Sequence, residues 1–164
     1  MEIVRHGSGP LSGWAGTVEL GEAVWVSGPG RGYGPDGAAT SFLVAGDESA
    51  LPAITTLLPA LPAEARVAVL VEVADPAARL PFSGRAAEVT TWLDLPPGAP
   101  PGDELVAAVV AADLDGDTRV WAAGEAAAMQ RIRRHLFAER GLPRSHAVVR
   151  GYWKHGRGGD LDGD

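Results

Sequence analysis

The sequence predicts an α/β fold in which one parallel sheet carries helices on both faces, giving three layers. Apolar segments typical of strands alternate along the chain with amphipathic segments of helical period, a pattern typical of parallel sheets. Residues 66–73, RVAVLVEV, form a nearly continuous β-branched run, as expected for a strand covered on both faces. The length of 164 residues suits one domain with a proper core.

The first half of the chain begins with a short amphipathic helix. Apolar side chains in residues 11–18 recur at helical spacing, and residues 23–26, AVWV, then predict a strand. Residues 41–45 predict a buried strand. An amphipathic helix follows over residues 51–61 and ends at prolines, before the strand at residues 66–73.

The second half repeats the alternation. Residues 87–93 predict a strand, and a helix is expected to begin at Asp103 as its N-cap, with valines 106, 109 and 110 facing inward. The remaining predicted elements are a strand over 118–122, a helix with Met129, Ile132 and Leu136 on one face, and a last strand over 147–153.

Composition excludes several classes of function. The net charge of −7 disfavours nucleic-acid binding, which depends on clustered Lys and Arg. Without cysteine, the chain has no disulfide, thiolate metal site or cysteine nucleophile. No apolar run approaches the ~20 residues that span a bilayer, and no signal peptide is evident. We therefore expect a cytoplasmic protein that does not enter membranes.

Metal and hydrolytic chemistry are also disfavoured. The histidines show no metal-ligand spacing, and no Gly-x-Ser-x-Gly nucleophile turn occurs. The segment DLDGD, at residues 113–117 and 160–164, lacks the later positions of a calcium loop and predicts a turn where it first occurs. We assign neither a metal ligand nor a catalytic acid, base or nucleophile.

The turn after the strand at residues 41–45 contains Gly46, Asp47, Glu48 and Ser49. Ligands of parallel sheets bind beyond the carboxyl ends of the strands, which makes this turn a candidate site. Capping of the next helix by these side chains explains every residue. The alternative is a nucleotide site that uses the Gly46 backbone and the Ser49 hydroxyl, with the carboxylates on ribose or amide groups.

Other charged groups are predicted at the same edge. Glu72 follows Asp47 by 25 residues, near the spacing of a ribose-binding acid, although a surface acid at a strand end is an equal alternative. Lys154 and Arg157 follow the last strand, and Lys154 is well placed for an anionic ligand. The arginines of the penultimate helix are interpreted as a solvated face; they are Arg131, Arg133, Arg134 and Arg140.

Several stretches, in this order and spacing, resemble the siderophore-interacting protein family of flavin-dependent ferric-siderophore reductases, relatives of ferredoxin reductases. The resemblance covers nearly the whole chain and corresponds to the family's C-terminal, NAD(P)H-binding half. The stretches are HGSGPLSGWA (6–15), SGPGRG (27–32), AGDESALPAI (45–54), VLVEVAD (69–75), VTTWL (89–93), WAAGEAAAMQRIRRHL (121–136) and GYWKHGR (151–157).

The resemblance implies roles for the candidate residues. Gly46, Asp47, Glu48 and Ser49 would border an NAD(P)H site. Gly124 and Glu125 would lie on its nicotinamide side, and Ser12 near the pyrophosphate of FAD. Lys154 would hold the anionic ferric siderophore.

The resemblance also implies a division of the chain. Residues 1–30 resemble only the end of the family's flavin-binding barrel, residues 31–158 the NAD(P)H-binding domain, and residues 159–164 an acidic tail. The implied function is that of the C-terminal domain of an NAD(P)H- and FAD-dependent ferric-siderophore reductase, partnered by a separate flavin domain or by a second copy. The alternative is a non-catalytic module that binds a nucleotide or a partner protein.

Overall fold

A computed structural model describes residues 10–25, 33–80, 82 and 85–156. The chain divides into two compact units, and the larger one is Pro35–His155. The smaller unit includes the described residues before Pro35. The predicted boundaries at residues 30 and 158 fall outside the described residues and stay predictions.

The larger unit is built on a parallel sheet that has five strands within the described residues. The order is β3-β2-β1-β4-β5, and every neighbouring pair is parallel. This confirms the predicted fold class. The strands are β1 (Ser41–Asp47), β2 (Arg66–Val73), β3 (Thr90–Asp94), β4 (Arg119–Glu125) and β5 (Ala147–Trp153).

Helices cover both faces of this sheet. Leu43 and Ala45 of β1 contribute to a core cluster with Leu105 of α4 and Met129 of α5. On the opposite face Ile54 of α2 lies near Gly46. The helices are α1 (Pro10–Thr17), α2 (Leu51–Leu57), α3 (Arg85–Val89), α4 (Asp103–Ala111) and α5 (Ala126–Arg134).

Two predicted strands need correction. Residues 23–25 form no strand, because no neighbouring strand is hydrogen-bonded to them, and Trp25 is fully exposed. Residue 26 of the predicted strand lies outside the described residues. The strand predicted over 87–93 begins only at Thr90, because residues 85–89 form α3. A short apolar run does not by itself distinguish a strand from a helical turn.

The start of α4 also differs from the prediction. Gly102, not Asp103, is the N-cap residue, and the side chain of Asp103 instead pairs with Arg131. Leu105 is fully buried, whereas Val110, which was expected to face inward, is 43% exposed. The N–H groups at this helix end are satisfied by a carboxylate from β2, so the helix does not require a cap from its own sequence.

The strand order creates a topological switch point between β1 and β4. From β1 the sheet continues through β2 to β3 on one side, and β4 leads to β5 on the other. A crevice forms beyond the carboxyl ends of two such strands. Asp47 ends β1 and Glu125 ends β4, so both predicted site residues lie at this point.

The described helices are short. The longest have nine residues, and none is long and apolar enough to cross a membrane.

Replacement of Gly46 tests the close packing of β1 on β4 and on the turn before α2. A Cβ atom at Gly46 would lie 2.5 Å from the Cβ of Ala50 and 3.0 Å from the carbonyl oxygen of Ala123. We expect Gly46→Ala to lower the free energy of unfolding by about 1–3 kcal/mol, as for other overpacked cores, in denaturant titrations. Gly116→Ala is the control, because a Cβ there meets nothing within 4 Å. Equal stability of the two variants would contradict the packing argument.

Candidate functional site at the carboxyl edge of the sheet

The buried carboxylate of Asp47 joins the ends of three strands. Its Oδ1 accepts hydrogen bonds from the backbone N–H and the hydroxyl of Ser49, at 2.9 and 2.5 Å. Its Oδ2 accepts from the N–H of Glu125 at 2.8 Å and from the indole Nε1 of Trp153 at 2.9 Å. Asp47 therefore connects the carboxyl ends of β1, β4 and β5.

Gly124 leaves room for this carboxylate. Its φ is +156°, and a Cβ at this position would lie 2.5 Å from Oδ2 of Asp47. Any side chain at Gly124 would displace Asp47 from its partners in β4 and β5. A bulky residue introduced here would therefore disrupt the hydrogen bonds of Asp47 as well as block any ligand bound beside it.

Glu125 links β4, α5 and the segment after β5. As the N-cap of α5, its Oε2 accepts from the N–H groups of Ala127 and Ala128 at 2.6 and 2.9 Å. Its Oε1 accepts from the N–H of His155 at 3.2 Å. Glu125 is only 5% exposed, so its carboxylate makes these contacts beneath the protein surface.

Glu48 reaches the end of β2 from the turn after β1. Its Oε1 accepts from the N–H groups of Ala74 and Asp75, at 2.5 and 3.3 Å. The Glu48 carboxylate therefore holds the turn after β1 to the loop after β2.

Glu72 is a buried cap of α4. Its oxygens accept from the N–H groups of Gly102 and Leu105, at 2.6 and 3.0 Å. It is 3% exposed, so the interpretation as a surface acid is wrong. Burial raises the pKa of Glu72, and the nearby Asp47 charge adds to this, although the two backbone hydrogen bonds oppose it.

These carboxylates occupy the N–H groups that a phosphate would use. Helix N-termini bind phosphates through unsatisfied N–H groups and the positive end of the helix dipole. At this edge Asp47 takes the N–H of Ser49, and Glu125 takes two N–H groups of α5. Glu72 takes those of the N-cap residue Gly102 and of Leu105 in the first turn of α4. The contacts are those expected of capping, and the edge does not fit a pyrophosphate at these helix ends.

Lys154 follows β5 directly and is exposed. It is the only lysine of the chain. No hydrogen bond or ion pair joins its ammonium group to another described residue. Of the other predicted site residues, Ser12 is half-buried on α1 in the smaller unit, and Arg157 lies outside the described residues.

The arginines on and just after α5 are engaged within the protein. Arg140 donates to the carbonyl oxygens of Val110 and Ala112 at 3.1 and 2.9 Å. The other three contact Asp103 (from Arg131), the Val149 carbonyl (from Arg133) and Glu139 (from Arg134). The prediction of a purely solvated face missed these contacts, which tie α5 to α4 and β5.

No metal site accompanies these carboxylates in the part of the chain that the structure describes, and a groove lies at the other end of the strands. The described residues contain no cluster of three His, Asp or Glu side chains that could hold a metal ion. A mainly apolar groove of about 540 Å³ lies at the opposite, amino edge of the sheet, with Ser41, Arg66 and Thr118 among its lining residues. It contains none of the predicted site residues.

Sequence reasoning missed the role of Trp153. Its hydrogen bond to Asp47 joins residues that are 106 positions apart, and no local sequence pattern predicts such a pair. The available signal was the placement of both residues at strand ends that meet at one edge of a parallel sheet.

Replacement of Glu72 by Gln tests the buried carboxylate through pH dependence. Because the pKa of Glu72 is raised in the folded state, its contribution to stability is fully present below its unfolded pKa and is lost as pH rises through the folded value. We expect the unfolding free energy of wild type, minus that of Glu72→Gln, to fall as pH rises from about 4 to 7.

Denaturant titrations at several pH values measure this difference. Glu64→Gln, which changes an exposed carboxylate, is the matched control. A difference that is constant or rises with pH would contradict the assignment.

Comparison with known proteins agrees with this architecture. The chain is 37% identical over 169 residues to an uncharacterized protein of Mycobacterium tuberculosis, covering 96% of this chain and 60% of that protein. It is 30% identical over 175 residues to the ferric vibriobactin reductase ViuB of Vibrio cholerae, covering 96% and 59%. The chain thus spans about 60% of the length of these relatives.

A solved structure and a family model identify the family. The crystal structure of a siderophore utilization protein from T. fusca superposes with a TM-score of 0.74 at 34% identity, covering 98% of this chain and 61% of that one. The model of the family described as siderophore-interacting protein matches residues 39–156, which include β1 to β5 and Lys154. The chain belongs to the siderophore-interacting protein family.

Proposed function

We propose that this chain is the C-terminal α/β domain of an NAD(P)H- and FAD-dependent ferric-siderophore reductase in the cytoplasm, and that Lys154 binds the anionic ferric siderophore. The observation that carries the proposal is the exposed ammonium group of Lys154 at the carboxyl end of β5, with no ion-pair partner among the described residues. The similarity to ferric vibriobactin reductase supports the substrate class.

The electrostatics of the edge favour Lys154 as the group that meets an anion. The carboxylates of Asp47, Glu72 and Glu125 are buried and accept hydrogen bonds from N–H donors. The Lys154 cation lies outside this layer. A solvent-exposed contact of this kind contributes on the order of 1 kcal/mol, which corresponds to roughly fivefold in affinity.

The cofactors of the proposed reductase follow from the family resemblance. NAD(P)H would reduce FAD by transfer of a hydride, and the reduced flavin would pass its electrons singly to ferric iron. The flavin would be held by the family's barrel, in a separate domain or through a homodimer, with Ser12 near its pyrophosphate.

The edge does not fit the phosphates of NAD(P)H at its helix ends. We propose that the half-buried Ser49, through its hydroxyl, faces a ribose or amide group of the nucleotide. Gly46 is buried in β1 between β2 and β4 and supports this turn from within the sheet. Asp47, Glu48, Glu72, Gly124 and Glu125 then shape the site by their contacts with one another and with backbone N–H groups.

A second candidate is a module that binds a ferric siderophore or a protein partner without a nucleotide. The occupied N–H groups at the starts of α4 and α5 favour it. Calorimetric titration with NADH and NADPH separates the two, because only the reductase requires saturable binding of one of them.

Replacement of Lys154 by Gln tests the proposed siderophore contact. The probes are two iron(III) complexes of hexadentate ligands, a trianionic tris(catecholate) and a neutral tris(hydroxamate). We expect Lys154→Gln to weaken binding of the trianionic complex by roughly fivefold, as loss of one exposed charge contact predicts, and to leave binding of the neutral complex unchanged. The dissociation constants are measured by quenching of tryptophan fluorescence.

Arg150→Gln is the control, since Arg150 is another exposed cation on β5. The weakening should also diminish as salt concentration rises, because the contact is exposed. Equal affinity of wild type and Lys154→Gln for the trianionic complex would refute the role of Lys154.

A further inference from the structure

We infer that Asp47 and Glu125 are positioning residues for Lys154: Asp47 holds the side chain of Trp153 before it and Glu125 holds the backbone of His155 after it, so that the ammonium group points out from the edge. This inference rests on the proposed function. In this inference the two carboxylates affect binding of the ferric siderophore through Lys154, without touching the siderophore themselves.

The two carboxylates hold the neighbours of Lys154 in sequence. Oδ2 of Asp47 accepts from the indole Nε1 of Trp153 at 2.9 Å. Oε1 of Glu125 accepts from the backbone N–H of His155 at 3.2 Å. The rings of Trp153 and His155 also meet edge to face, with centroids 6.3 Å apart. Lys154 therefore lies on a short segment that is fixed at both ends.

An irregularity in β5 sets the direction of this segment. Gly124 pairs with Gly151, whereas the next residue, Glu125, pairs with Trp153, so Tyr152 is an extra residue in β5. Such bulges bend a strand and redirect the side chains that follow. The bulge and the Asp47 contact together set the orientation of Trp153 and of the residue after it.

Both anchoring carboxylates are buried and hydrogen-bonded to other elements. Asp47 and Glu125 are 8% and 5% exposed. Asp47 also holds the N–H of Glu125, and Glu125 holds the first turn of α5. A lysine on a segment held in this way loses less backbone freedom when it binds an anion, and such preorganisation increases affinity.

Trp153→Phe tests the inference, because it keeps an aromatic ring and removes the donor to Asp47. We expect it to weaken binding of the trianionic iron(III) tris(catecholate) by roughly fivefold, the size of one net hydrogen bond. Binding of the neutral tris(hydroxamate) should not change. Trp92→Phe is the matched control, since Trp92 lies on β3 at the far edge of the sheet and stacks on Phe82.

A double-mutant cycle with Lys154→Gln distinguishes positioning from direct contact. If Trp153 acts through Lys154, Trp153→Phe should have no further effect in the Lys154→Gln background. Additive losses, or no loss from Trp153→Phe alone, would overturn the inference while leaving the role of Lys154 intact. No loss from Lys154→Gln alone would instead refute the proposed function.

Thermal unfolding of each variant shows whether it is folded at the assay temperature. If Trp153→Phe is not folded there, the same cycle with Asp47→Asn decides the question. That change weakens the acceptor in the same contact, and the same non-additivity is expected. Additive losses in that cycle would equally overturn the inference.

Discussion

The carboxylate of Asp47 is the contact on which the carboxyl edge of the sheet depends. It is buried at the switch point between β1 and β4 and accepts from donors in the turn after β1, in β4 and in β5. Gly124 leaves the space that the carboxylate fills. A buried carboxylate is tolerated only when its oxygens are hydrogen-bonded, and here those bonds also align three strand ends.

Glu48, Glu72 and Glu125 extend the same principle across the edge. The carboxyl oxygens of each accept hydrogen bonds from backbone N–H groups of another element, so that these bonds join the sheet to α4, α5 and the loop after β2. No buried side-chain N or O atom among the described residues lacks a partner. The buried carboxylates are therefore satisfied within the protein, and Lys154 is an exposed cation at the same edge of the sheet.

Much of the fold could be predicted from the sequence. The run at residues 66–73 forms β2 with those bounds, and Met129, Ile132 and Leu136 are buried as their spacing indicated. The strand predictions for residues 23–25 and 87–89 were wrong, because a short apolar run forms a strand only where a neighbouring strand can pair with it. The position of the site at the carboxyl edge could be predicted, since the ends of parallel strands meet at one edge of a sheet. The contacts within the site could not be predicted, because the hydrogen bonds between Asp47 and Trp153 and between Glu72 and Gly102 join distant parts of the chain.

The N–H groups of Ser49, Gly102, Glu125 and Ala127 are bound by the protein's own carboxylates and are not available to phosphate. The most direct test is the ¹H–¹⁵N correlation spectrum of the protein during titration with inorganic pyrophosphate. We expect the amide resonances of these four residues to keep their positions throughout the titration. Saturable shifts of these amides would mean that phosphate displaces the carboxylates, and that the helix ends are open to it.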